Sequence, residues 1–138
     1  MRRVNAVLAH PLYRKCYARL EELEKDRIFC RHQMPHLLDV ARIAYIFNLE
    51  EGGGLDRELI YTAAVLHDIG KYAQYEEGIP HEQSGGRIAA EILDSLPADC
   101  AFSEAEKQAI LTAVRGHRRL KDDAEPLERF LYRADKAS

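Results

Sequence analysis

His67 and Asp68 close the apolar run IYTAAVL, so two groups that are costly to desolvate stand where burial should be deepest. Each then needs a partner, and a divalent cation would satisfy both. Neighbours on a regular α-helix project about 100° apart, but at a helix end the geometry loosens enough for an imidazole and the next carboxylate to reach one small cavity. Alone, the pair is a weak signal, more often a core histidine hydrogen-bonded beside a helix-terminal carboxylate. His36, His81, His117 and Asp135 supply context, because each falls at or near an expected helix terminus or in the last helix. Such positions can converge on the centre of a helical bundle, where bundle proteins build their metal sites. A mixed imidazole and carboxylate set suits Fe, Mn, Co, Ni or Zn better than Ca or Mg.

The segments HLLDVARIA, AAVLHDIGK and LYRADKAS carry, in that order, the pattern H…HD…D. Over roughly residues 30–138 this resembles the HD-domain metal-dependent phosphohydrolases. The resemblance implies an all-α bundle with its site between the central helices, and it makes His36, His67, Asp68 and Asp135 ligands of one metal. It also implies that His81 in GIPHEQSGG and His117 in AVRGHRR supply a second ion, with Asp68 bridging the two. The implied activity is hydrolysis of a phosphate ester or anhydride of a nucleotide or similar small metabolite. Two ions about 3.5–4 Å apart can share a water, lower its pKa and clamp phosphate oxygens during in-line attack, so the nucleophile would be a metal-bound hydroxide oriented by Asp68. No side-chain nucleophile is needed, which fits the lack of a G-x-S-x-G elbow and of a cysteine with an obvious histidine partner. Lysines in HD-x-x-K of this family contact substrate phosphate, which makes Lys71 a catalytic and substrate-binding candidate; otherwise it is an exposed lysine favoured at a helix C-terminus. Arg118, with Arg115, Arg119 and Lys121, forms either a cationic rim for a phosphorylated substrate or a solvated face. The same ligand set also fits two other readings: a di-iron HD-type oxygenase, or a nucleotide-binding module that keeps its metals without turnover.

Three nearby residues carry weaker expectations. His32 lies four residues before His36, but Pro35 between them argues against a shared helical face. Asp39, one turn after His36, either orients an imidazole or is an exposed helix charge. His10 lies outside the matched region and receives no role.

The elements that must position these residues read as about six helices in one domain spanning 1–138, with 1–29 an N-terminal helix packing on the matched region. Apolar residues recur every three to four positions, and alternating runs are missing. Pro11 opens a first helix whose Tyr13, Cys16, Tyr17, Leu20 and Leu23 share a stripe, with the charges facing away. Pro35 opens a second, with Leu37, Val40, Ala41, Ala44 and Phe47 buried, running to the Gly52-Gly53-Gly54 break. Asp56 caps a third, apolar nearly all round from Ile60 to Leu66 and ending near Gly70. A loop through YEEGIP leads to a fourth helix from His81, Ser103 and Glu106 make a capping box for a fifth, and Pro126 opens the last.

The chain has 138 residues, 46% apolar and 31% charged, enough for one core and no long disordered tail. A formal net charge of −3 gives no long-range attraction for nucleic-acid polymers or anionic membranes, so a phosphorylated small molecule must be met by local charge or metal. Cys16, Cys30 and Cys100 form neither a metal clip nor a disulfide framework and read as reduced thiols. The N-terminal MRRVNAVLAHPLY is broken by His10 and Pro11 and offers no cleavage site, and no segment approaches the roughly 20 apolar residues of a membrane span, so a cytoplasmic location is expected. Members of the resembled family commonly continue past the final aspartate. The pocket is therefore expected to be bounded by the loop after Lys71 and the segment after His117, or completed by a second copy in a homo-oligomer.

Overall fold

The computed structural model describes residues 1–25, 33–116 and 122–138. Among them are eight α-helices, one 3-10 turn and no strand. The helices are α1 (Arg2–Ala9), α2 (Pro11–Glu24), α3 (Met34–Glu50), α4 (Arg57–Leu66), α5 (Lys71–Glu77), α6 (His81–Asp94), α7 (Glu104–Val114) and α8 (Pro126–Ala137), with the 3-10 turn at Ala98–Cys100. No helix of the described residues is long and apolar enough to cross a membrane.

The bundle is organised around α4, where Ile60, Ala63, Ala64, Val65 and Leu66 are wholly buried and α1, α3, α7 and α8 pack on its sides. The all-round apolar sequence predicts that central place. Asp56 caps α4 by accepting the Glu58 N–H at 3.0 Å. The turn between α3 and α4 is locked from within. Buried Asn48 accepts the Leu55 N–H at 3.0 Å and donates to the Leu55 carbonyl at 3.1 Å. Gly53 leaves room for this clasp, since a Cβ there would stand 2.5 Å from Asn48 Oδ1 and 2.8 Å from the Phe130 ring. The short turn folds α3 back against α4, so the first turn of one and the last turn of the other share an end of the bundle. The amphipathic α8 buries Leu127, Phe130, Leu131 and Ala134 against α3 and α7 and brings its own last turns to that end.

The expected caps form. Ser103 Oγ accepts the Glu106 N–H at 3.1 Å while the Glu106 carboxylate accepts the Ser103 N–H at 2.9 Å, starting α7. In the first turn of α1, Arg3 reaches Asp56, Glu58 and Glu106 at 3.1–3.2 Å and lies over the Phe102 ring, joining α1 to the starts of α4 and α7.

Several local features differ from the expectations above. Residues 2–9 form a helix of their own, separated from α2 by His10, whose Nδ1 accepts the Leu12 N–H at 3.1 Å and caps α2. That bond puts the ring proton on Nε2, which meets Ser95 Oγ at 2.8 Å at the end of α6. The stretch after Gly70 is not a loop but α5, ended by Gly78 at φ 71°. The charges of α2 do not all face away: Glu24 is wholly buried and accepts the Tyr75 hydroxyl at 2.7 Å. Cys16 and Cys100 are free, buried thiols, and Cys30 lies outside the described residues.

Candidate metal centre

The α-helical ladder of α4 gives way to tight turns just before the His-Asp pair. The His67 N–H donates to Ala64 O at 3.4 Å, Ile69 N–H to Leu66 O at 3.1 Å and Lys71 N–H to Asp68 O at 3.0 Å, all three residues back. This departure from helix geometry lets consecutive side chains meet, with His67 Nε2 3.2 Å from Asp68 Oδ2. Both residues are buried.

The tautomer of His67 follows from its surroundings. Nδ1 lies 2.6 Å from Ala64 O, and only a ring N–H can serve a carbonyl, so a neutral imidazole keeps its lone pair on Nε2. That atom is buried and makes no hydrogen bond, although Asp68 Oδ2 and Asp135 Oδ1 approach it at 3.2 and 3.5 Å. A lone pair facing two carboxylates is repulsive unless a proton or a cation lies among them. Burial works against a charged His67, but the two aspartates outweigh it, and the ring holds a proton well above the usual 6.5.

His36 comes from the first turn of α3 and meets Asp135, near the end of α8, through Nε2 and Oδ1 at 3.2 Å; Asp68 Oδ2 is 4.0 Å away. On its other side, Nδ1 lies 3.3 Å from Ser138 Oγ, whose own proton goes to Asp135 O at 3.2 Å. His36 Nδ1 is therefore the donor to Ser138, and its neutral form also directs a lone pair inward. Burial raises the Asp135 pKa, but the His36 and His67 rings beside the carboxylate outweigh it and hold the carboxyl well below the usual range. Ligand atoms from His36, His67, Asp68 and Asp135 all lie within 4.8 Å of one another. Two inward imidazole lone pairs and two carboxylates, with one buried nitrogen lacking a hydrogen bond, suit a divalent transition ion.

The other candidates fall around this cluster or outside the described residues. His81 is the first residue of α6. One turn later, a Cβ on Gly85 would lie 3.7 Å from Gly70 N and 3.8 Å from His67 O, so the start of α6 runs close to the His-Asp turn. Lys71 is the first residue of α5, partly buried and free of any ion pair among the described residues. A cation at a helix N-terminus is opposed by the dipole, which removes the C-terminal explanation for this lysine. The Arg115 stem passes over Gly86, where a Cβ would meet its Cγ at 2.7 Å. Asp39 pairs with Arg42 at 3.3 Å on the exposed face of α3 and does not orient His36. His32, His117, Arg118, Arg119 and Lys121 lie outside the described residues. Sequence reasoning missed Ser138, although its place three residues after Asp135 sets it one helical turn along α8.

The HD domain model matches residues 35–138, about three quarters of the sequence and every element that carries the cluster. The chain belongs to the HD domain family. An uncharacterized protein of Clostridium beijerinckii (strain ATCC 51743 / NCIMB 8052) is 46% identical over all 138 residues, which span 84% of that protein. Among solved structures, a predicted HD superfamily hydrolase from an uncultured Thermotogales bacterium superposes with a TM-score of 0.65 at 24% identity. The alignment covers 89% of this chain and 66% of that one, just under two thirds of its length, and shows that the two share a fold. Divalent metal binding is general among HD domains, and the His36, His67, Asp68 and Asp135 cluster provides donors of the matching kind.

Proposed function

We propose that this protein is a metal-dependent phosphohydrolase that cleaves a phosphate ester or anhydride of a nucleotide or similar small metabolite. The observation that carries the reading is the buried Nε2 of His67, which has no hydrogen bond yet faces two carboxylates within a four-residue donor cluster. A bound divalent ion of the Fe, Mn, Co, Ni or Zn group would polarise the phosphoryl oxygen and lower the pKa of the attacking water. His36 and His67 would hold it through Nε2, their rings fixed by Ser138 Oγ and Ala64 O on the outer nitrogens. Asp68, buried beside His67 and joined through its carbonyl to the Lys71 N–H, is suited to orient the water. Asp135 would complete the set from the more exposed side.

His81 and His117 belong to the same proposal as ligands of a second ion, sharing Asp68 with the first. Lys71 has no ion-pair partner among the described residues and is suited to meet substrate phosphate, with Arg118 as a further contact. The free buried thiols Cys16 and Cys100 fit a reducing cytoplasm.

Phosphate release by manganese- or iron-loaded protein should be measured across nucleoside mono-, di- and triphosphates, with and without oxygen. Metal-dependent, oxygen-independent release that disappears in Asp68→Ala is expected. Tight nucleotide binding without turnover would overturn hydrolysis in favour of a binding module. Oxygen consumption with a mixed-valence di-iron EPR signal and no phosphate release would overturn it in favour of an oxygenase.

A further inference from the structure

Two tyrosines of α2 grip the backbone of α3, which carries His36, and of α4, which leads into His67. Tyr13 and Tyr17 lie one helical turn apart and stack nearly in parallel, their ring centroids 6.0 Å apart at 10°. The buried Tyr13 hydroxyl donates to Val65 O at 3.0 Å, two residues before His67. The Tyr17 hydroxyl accepts the Met34 N–H at 2.8 Å, two residues before His36.

Each bond falls where a helix needs one. In α3, Met34 is the first helical residue and Gln33 supplies no side-chain cap, so the Met34 N–H is an orphan donor that Tyr17 satisfies from another helix. In α4, an uninterrupted α-helix would send the Ile69 N–H to Val65 O. Ile69 donates instead to Leu66 O, and Tyr13 occupies the Val65 carbonyl. Without the Tyr13 hydroxyl, that carbonyl is left to its regular helical donor, the Ile69 N–H, and taking it would extend α4 through the His-Asp turn and rotate both side chains. Moreover, α2 lies ahead of residues 35–138, the span shared with the HD domain model.

We propose that Tyr13 and Tyr17 are positioning residues for the metal centre: the stacked pair sets the spacing of His67 and His36 by pinning the end of α4 and the start of α3. The proposal rests on the four-residue cluster being a metal site. It assigns metal-geometry control to a helix outside the matched domain, and it explains two polar tips on a stripe that otherwise only fills the core.

The test is cobalt(II) titration of metal-free wild-type, Tyr13→Phe and Tyr17→Phe proteins, followed by visible absorption, with the melting temperature of each metal-free protein measured in parallel. Tyr75→Phe serves as control, since it removes a hydroxyl bonded to the Glu24 carboxylate and not to the backbone of α3 or α4. Both test variants should lose about 10–100-fold in cobalt affinity, as removing outer supports of metal ligands does, and shift the d–d bands. Tyr75→Phe should change stability alone. Wild-type affinity and spectrum in Tyr13→Phe and Tyr17→Phe, whatever their melting temperatures, would overturn the positioning role while leaving the metal site standing. Failure of the wild type to bind cobalt would overturn the metal site and this inference with it.

Discussion

Metal binding at neutral pH should expel at least one proton, and the structure identifies its source. In the metal-free protein His67 keeps its proton well above the usual 6.5, while Asp135 is held below the usual carboxylate range and has none to give. Coordination through Nε2 requires the neutral ring, so His67 must release its proton as the ion enters. Below the raised His67 pKa, the apparent affinity should therefore change about tenfold per pH unit, equivalent to about 1.4 kcal/mol. Calorimetric titration with manganese(II) at neutral pH, in buffers of different ionisation enthalpy, gives the proton count as the slope of heat against ionisation enthalpy. A slope of zero, with affinity flat between about pH 6 and 8, would refute the assignment of His67. The same shifts fix the stability of the metal-free fold. The raised His67 pKa stabilises it fully below 6.5, and this is lost as pH rises through the raised value. The depressed Asp135 pKa stabilises it above 3.8, and this is lost as pH falls through the lowered value. Metal-free protein should thus be most stable between those two usual values and melt at lower temperature in alkali.

Other perturbations separate chemistry from scaffold. Lys71→Met should lower kcat/KM about a hundredfold with metal content unchanged, checked by steady-state kinetics and elemental analysis. Gly53→Ala puts a methyl against Asn48 Oδ1 and the Phe130 ring and should cost about 1–3 kcal/mol in urea unfolding, with the ligand set intact. Arg3→Ala removes a guanidinium shared by three carboxylates at 18% side-chain exposure and should cost about 1–2 kcal/mol, a loss that shrinks as salt rises.

The grouping of His36, His67, Asp68 and Asp135 was legible because its residues are expensive to bury and carry an ordered pattern, and the helix pattern placed three of the four side chains at helix ends. The helices themselves were legible where prolines, Asp56 and the Ser103–Glu106 box mark their starts. Two were not. Residues 2–9 have neither a side-chain cap nor an acidic first turn, and α5 opens on a lysine that the dipole disfavours, so tertiary packing decides both. Glu24 and the hydroxyls of Tyr13 and Tyr17 escaped for a related reason. Their spacing reports which face of α2 is buried, but their partners Tyr75, Val65 and Met34 lie 51, 52 and 17 residues away along the chain. The tight turns that bring His67 and Asp68 together depend on one such distant bond.

Metal content of the purified protein, determined by elemental analysis beside Asp68→Ala, His81→Ala and His117→Ala, tests the central claim most directly. The account predicts two transition-metal ions per chain in the wild type, about one after loss of either His81 or His117, and none after loss of Asp68. Wild-type protein that takes up no stoichiometric ion, or Asp68→Ala that keeps its full complement, would contradict it.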